Sequence, residues 1–300
     1  MKKHLLLFAF TLIYHFQIIA QNKIIVFQSD FGLKDGAVSA MKGVAMQVDA
    51  SLKLFDLTHE IPSYNIWEAA YRLEQTIPYW PAGTVFVSVV DPGVGTSRKS
   101  VVAKTNAGHF IVTPNNGTLT LIAEREGITA IREIDEVKNR RTGSEKSYTF
   151  HGRDVYAFTA ARLASGVISF EEVGKLLSTD ASVEKIVYQK PVLMGNTIKG
   201  SIPVLDVQYG NVWTNIPSSL LDSIHAKMGK KLHVVIFEEH KKKFEGDFPL
   251  TNTFGEVAKG KPLAYLNSLL NLSFALNQAN FSEANKIYSG SNWEVEVEVR

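Results

Sequence analysis

The chain has no cysteine. Disulfides, thiolate metal sites and a cysteine nucleophile are therefore excluded. It has little net charge, +2 from 32 basic and 30 acidic residues, so no bias toward nucleic acid or a membrane surface is expected. It also lacks a long apolar run. Leu5 to Ile13 is short for a transmembrane helix, and His15 and Gln17 interrupt its continuation. No internal repeat or low-complexity segment is visible. His59, His109 and His151 lack the close paired spacing of zinc helices, so no metal site is expected. The Gly93-Val94-Gly95 loop has neither the lysine nor the hydroxyl residue of a P-loop. Asp30-Phe31-Gly32 has no Gly-rich phosphate loop before it and the chain has no His-Arg-Asp catalytic loop, which removes a kinase reading.

What is present is globular. The chain has 300 residues, 45% of them hydrophobic, enough for two domains of ordinary size. Met1-Lys2-Lys3, the apolar Leu5 to Ile13 and the more polar Gln17 to Ala20 resemble a secretory signal peptide. A buried or interfacial N-terminal helix is the other reading. Cleavage after residues 1–20 implies an exported protein, periplasmic or secreted, with no membrane association once the leader is gone. Without cleavage it is cytoplasmic. Lys241 to Lys243 read as a solvated hairpin turn.

The most informative stretch runs from Val89 to Val101. An apolar run, Thr84 to Val90, ends in Asp91-Pro92; a glycine loop comes next, then Arg98, then a second apolar run. A strand that stops in a carboxylate before a Gly-rich loop is how an α/β sheet presents groups at the carboxyl end of its strands, where ligands collect. Asp91 and Arg98 stand on opposite sides of a loop that can fold them together.

The preceding chain has the same grammar. Lys23 to Gln28 reads as a buried strand ending at Asp30, and helical spacing runs from Asp35 to Val48. Leu52 to Leu57 is a strand, Trp67 to Ile77 a helix, Val101 to Lys104 and Phe110 to Val112 a hairpin, Leu119 to Glu126 a helix and Ile128 to Ile134 a strand. Phe150-His151-Gly152-Arg153-Asp154 precedes a helix from Val155 to Ser165, with His151 on the loop before it. Phe170 to Leu177 reads as one more helix. This alternation predicts an α/β domain over residues 22–180 with a mainly parallel sheet. Beyond it, short strands over Gly200 to Val207, Lys231 to Phe237, Lys243 to Phe248 and Trp293 to Val299 predict an antiparallel β domain over residues 190–300, read as a barrel.

The residues able to do chemistry are Asp30, Asp35, Asp91, Arg98, His151, Asp206, Asn211 and Trp213. Each has a structural alternative: helix cap or turn former for Asp30 and Asp91, surface loop residue for Arg98, buried structural histidine for His151. Their clustering at strand ends favours a shared site.

Five motifs occur in order: Ser29-Asp30-Phe31-Gly32, Asp91-Pro92-Gly93-Val94-Gly95-Thr96, Pro114-Asn115-Asn116-Gly117, Phe150-His151-Gly152-Arg153-Asp154 and Tyr209-Gly210-Asn211-Val212-Trp213-Thr214-Asn215. The chain thereby resembles the S-adenosyl-L-methionine (SAM) hydroxide adenosyltransferase family, the SAM hydrolases, over about residues 23–299. Fluorinase and chlorinase are its relatives. The resemblance implies an α/β domain followed by a β-barrel, a homotrimer with sites between one subunit's N-terminal domain and a neighbour's C-terminal domain, and hydrolysis of SAM to adenosine and L-methionine at C5′ of the ribose. SAM is then the substrate, with no cofactor. Asp91, Arg98 and His151 match the set held near the water, and which of them is the base stays open. Asp30 matches the carboxylate that accepts both ribose hydroxyls. Asp35 and Asp206 match contacts to the methionine amino group, and Ser268 a contact to its carboxylate. Asn211 matches the reader of the adenine edge, with Tyr209, Trp213 and Phe254 as pocket walls. The halogenases have a serine where Gly152 stands, and Gly152 offers no hydroxyl to a halide. Leu269 and Leu276 stand where the halogenases have arginines. The competing expectation is an exported adenosine- or SAM-binding protein with little turnover.

Overall fold

A computed structural model describes residues 22–178 and 182–300. The leader reading, on residues 1–20, lies outside them. Seven strands form the first sheet: β1 (Ile24–Ser29), β2 (Lys53–Thr58), β3 (Val85–Val89), β4 (Ser100–Thr105), β5 (Phe110–Pro114), β6 (Ile128–Glu133) and β7 (Leu176–Leu177). Their order is β2-β1-β3-β5-β4-β6-β7. The first four in that order run parallel, while β4 opposes both β5 and β6, so β6 points the same way as β5.

Strand β1 is buried on both faces, which is why Ile24–Phe27 reads as an unbroken apolar run rather than an alternation. Ile25 and Phe27 enter a core with Met41 and Ala45 of helix α1 (Ala37–Val48), while Val26 enters a second with Leu73 of helix α2 (Ile66–Thr76). Helix α3 (Thr120–Arg125) joins the α2 side through Leu119 and Ile122, and helix α4 (Phe158–Ser165) the α1 side through Ala160, Ala161 and Leu163. Helices thus cover both faces of the sheet, and its strand ends are left to form a site.

The β region begins with β8 (Val192–Met194), β9 (Thr197–Ser201), β10 (Val204–Asp206) and β11 (Asn211–Pro217), and continues after helix α5 (Ser218–Ser223) with β12 (Lys231–Glu238), β13 (Lys241–Pro249), β14 (Pro262–Leu266) and β15 (Asn271–Leu276). Helix α6 (Phe281–Asn285) and strand β16 (Trp293–Val299) close it. The pairing is antiparallel and gives two sheets, β10-β11-β15-β14 and β13-β12-β16-β9-β8. They share one core, in which Phe248 and Phe274 lie 5.0 Å apart. Antiparallel β structure is therefore present; no pairing among the described residues closes it into a barrel. Helix α2 ties the two regions together: Trp67 Nε1 donates to Pro203 O at 3.1 Å and Arg72 Nη2 to Leu205 O at 3.0 Å.

Four local expectations need correction. Phe170 to Leu177 is not a helix but a short 3₁₀ turn, Glu171–Val173, followed by β7. Gly174 between them has φ +151°, and a Cβ there would fall 2.2 Å from Glu133 O, so the chain turns out of the helix and onto the sheet edge. Gly200 to Val207 is not one strand: Pro203, which cannot donate to a ladder, separates β9 from β10, and the two join different sheets. The basic run Lys241–Lys243 opens β13, and the turn itself is Glu239-His240, both at positive φ. His151 does not sit on a loop. Its backbone is already helical, at φ −59° and ψ −29°, and it caps a π-helical turn over Gly152–Ala157 that runs into α4. Glycine reads as a breaker, yet here the wider turn absorbs it.

Candidate active site

The polar site gathers where the geometry of the sheet predicts. Asp30 follows the carboxyl end of β1 and Asp91 follows that of β3. Strand β4 runs the other way, so its amino end, with Arg98 and Ser100, arrives at the same edge. The π turn brings His151 there, and one cavity of about 250 Å³ is lined by Asp30, Phe31, Asp91, Phe150, His151 and Gly152 among others.

Arg98 and Asp91 are in direct contact through Nη2 and Oδ2, and Arg98 Nη1 also donates to Lys99 O at 2.9 Å. Burial pushes the Asp91 carboxyl above its ordinary range, against the pull of the Arg98 charge. The Tyr156 hydroxyl, on a fully buried ring, lies 3.4 Å from Asp91 Oδ2 and from both Arg98 Nη atoms, and burial raises this phenol well above its usual range. His151 is 6% exposed. Its Nε2 lies 3.2 Å from Arg140 Nη2 and 3.5 Å from Glu136 Oε2, while its Nδ1 has no partner among the described residues. Asp30 Oδ2 accepts from the Tyr64 backbone N–H at 2.9 Å. That leaves a second carboxylate oxygen available to the cavity.

Gly152 is held by close packing. A Cβ on it would lie 3.1 Å from Phe31 Cε2 and 3.2 Å from Met41 Sδ, so any side chain here requires Phe31 to move. Phe31 in turn packs edge-on to Phe150, with ring centroids 5.8 Å apart.

The remaining candidates are not in this cavity. Tyr209, Asn211 and Phe254 line a second, more apolar one of about 720 Å³ in the β region, with Leu276 and Asn280. Asn211 Nδ2 donates to Asp206 Oδ2 at 3.1 Å. Asp206 and Trp213 face a groove against Glu68 and Arg72 of α2, and the Trp213 indole donates to Tyr265 Oη at 3.2 Å. Asp35 is exposed and accepts from Ala37 N–H at 2.8 Å, a local turn contact just before α1, whose N-cap is Gly36. Ser268 is exposed in the turn between β14 and β15 and lines neither cavity.

Glu136, Arg140, Ser100 and Tyr156 were not legible as site residues. The only trace is Glu136 and Arg140 at helical i, i+4 spacing inside a polar segment. Hydrogen bonding from His151, helped by Arg140 and Ser100, holds the Glu136 carboxyl down at about 2.

Acids and an imidazole lining a small cavity at strand ends, with a guanidinium bound to one of the acids, and an antiparallel β region carrying an apolar cavity of its own, define a two-part α/β protein with a polar site. The chain matches the SAM hydroxide adenosyltransferase N-terminal domain over residues 25–174 and the C-terminal domain over residues 200–294, and it belongs to that family. It is 32% identical over 255 residues to the (R)-S-adenosyl-L-methionine hydrolase of Salinispora tropica, covering 84% of this chain and 90% of the relative. It is 39% identical to that of Methanocaldococcus jannaschii over 170 residues, which take in 55% of this chain and 62% of the relative's length. The fluorinase of Actinopolyspora mzabensis is 27% identical over 295 residues, 91% and 96% of the two chains. A crystal structure of an uncharacterized conserved protein from Thermotoga maritima superposes with a TM-score of 0.82 at 34% identity, covering 91% of this chain and 99% of that one.

Proposed function

We propose that the chain hydrolyses SAM to adenosine and L-methionine by attack of water at ribose C5′. The observation that carries this reading is the convergence of Asp91, Arg98, His151 and Asp30 on one site, with three of them lining a single cavity and Arg98 bound to Asp91, in a chain whose relatives include proteins named SAM hydrolases. The sulfonium leaves as a neutral thioether, so the leaving group needs no acid. The protein has to place and activate a weak nucleophile in line, which positioning and charge placement can do. Asp30 accepts the ribose hydroxyls. Arg98, fixed by Asp91, stabilises hydroxide character on the water, and His151 is within the same cavity to take its proton. The reaction needs no cofactor.

The substrate-binding set is divided between two cavities. The polar one, at about 250 Å³, is smaller than the ~300–1,000 Å³ usual for ligand pockets. Tyr209, Asn211 and Phe254 belong to the other. This division supports a homotrimer in which residues 22–180 of one copy meet residues 190–300 of a neighbour, whose C-terminal barrel brings adenine contacts to the C5′ site. Asp35, Asp206, Trp213 and Ser268 would complete the methionine and wall contacts there. Export through a leader over residues 1–20 is part of the same proposal, with the substrate then met outside the cytoplasm.

The test is incubation of the chain from Gln21 with SAM, with and without chloride, following products by chromatography. Adenosine and methionine are expected in equal amounts at a rate independent of chloride, and Arg98→Ala should lower that rate by about two orders of magnitude or more, the scale of losing a transition-state charge contact. SAM recovered bound but intact would oppose turnover and favour the binding-protein reading.

A further inference from the structure

The structure joins His151 to the Asp91–Arg98 pair by a route through groups that no substrate contact explains. Glu136 follows the carboxyl end of β6, and its Oε2 lies 3.5 Å from His151 Nε2. Its Oε1 accepts from Ser100 Oγ at 3.1 Å. Ser100 Oγ is 3.2 Å from the Tyr156 hydroxyl, which in turn reaches Asp91 and Arg98. The chain of polar groups is His151, Glu136, Ser100, Tyr156, Asp91, and Ser100 and the Tyr156 ring within it are buried.

The geometry points to Glu136 as the positioning residue of the site: it holds the imidazole proton on His151 Nε2 and leaves Nδ1, buried and without a partner among the described residues, as the acceptor. This rests on the proposed hydrolysis. A carboxylate beside one ring nitrogen fixes both the tautomer and the orientation of an imidazole. The groups that face this ring are Glu136, Arg140, the more distant Asp91, and the rings of Tyr148 and Tyr156. Arg140 is the rival. Its Nη2 is 3.2 Å from Nε2, and if it donated there the proton would sit on Nδ1 instead. Arg140 Nη2 is also 2.5 Å from Glu136 Oε2, and because it carries two N–H groups it can serve Glu136 and still reach the ring, so the two tautomers differ in whether Glu136 or Arg140 sets Nε2. Glu136 stays ionised across the working range, as its strongly lowered titration indicates, so it is available as an acceptor throughout.

The proton balance is simple. The water oxygen bonds to C5′ as the C5′–S bond breaks, and the sulfur keeps the bonding pair. One water proton passes to Nδ1 and the other stays on the new 5′-hydroxyl. His151 becomes an imidazolium whose Nε2 proton faces Glu136, and release of the Nδ1 proton to solvent resets it.

The test uses the full chain in two measurements. Nitrogen-15 NMR of the histidine rings, with His151 assigned by its loss in His151→Gln, reads the tautomer without any turnover. A protonated Nε2 and bare Nδ1 in the unmodified protein are expected, with this preference lost in Glu136→Gln. A proton on Nδ1 in the unmodified protein would overturn the assignment and favour Arg140. In steady-state kinetics Glu136→Gln should lower kcat about 10- to 100-fold, the usual loss for an orienting partner, with KM within about twofold. It should also move the acidic limb of the kcat profile to lower pH, since the charge that favours the imidazolium is gone. An unshifted limb with near-normal kcat would also overturn the proposal. If the unmodified protein forms no adenosine, hydrolysis itself fails, while the NMR result still decides the role of Glu136.

Discussion

Asp30 and His151 share a cavity and are expected to fail differently when removed. On the proposed function Asp30 accepts the ribose hydroxyls, contacts made in the ground and transition states alike. Asp30→Ala should therefore raise KM, by about tenfold or more for each hydrogen bond to the carboxylate that is lost, with kcat little changed. His151→Ala should lower kcat about 10²- to 10⁴-fold, the contribution of a positioned proton acceptor, with KM close to normal. Steady-state kinetics of the two variants separates these outcomes, and an equal loss in both parameters for His151→Ala would count against its role as base. At this scale the sequence was partly legible. Asp91 and Arg98 lie seven positions apart across one loop, so their contact follows from local geometry. The pairing of His151 with Glu136 does not, because it needs the end of β6 and the start of the π turn to meet, and nothing local to either residue indicates that.

Elements were legible where burial imposes a pattern and less so where a single residue redirects the chain. The apolar runs of β1 and β3 are buried along almost their whole length, and they are readable as strands for that reason. The segment before β7 is not, since Glu171–Val173 starts as a helix and only Gly174 ends it. The cost of filling that position is testable. Gly174→Ala would have to place a Cβ 2.2 Å from Glu133 O at a φ of +151°. It is expected to destabilise the protein by about 2 kcal/mol or more, read as a lower denaturation midpoint with an unchanged slope. A change under about 0.5 kcal/mol, the range of a neutral surface substitution, would mean that the edge strand docks loosely. The π turn makes the same point in the other direction. Gly152 reads as a break, whereas the structure uses its missing side chain to seat Phe31 and Met41 against the helix that carries His151. The missing side chain at Gly152 therefore serves packing.

For the whole molecule, the division between α/β and antiparallel β structure is visible from the change in periodicity near residue 185, and the pairing bears out that change of class. The two-sheet arrangement is not visible, because the alternation of β16 reports one buried face without saying which sheet it faces. Within one copy the candidate residues are divided, with Asp30, Asp91 and His151 lining the polar cavity and Tyr209, Asn211 and Phe254 the apolar one, and this division is what the proposed site between copies rests on. These features serve one chemical claim, that water displaces methionine at C5′. The measurement that tests it most directly is SAM turnover in water enriched in oxygen-18, with the adenosine analysed by mass spectrometry. One oxygen-18 in the 5′-hydroxyl, incorporated in proportion to the enrichment, is the expected result. Unlabelled adenosine, or no adenosine from SAM that the protein demonstrably binds, would contradict the account.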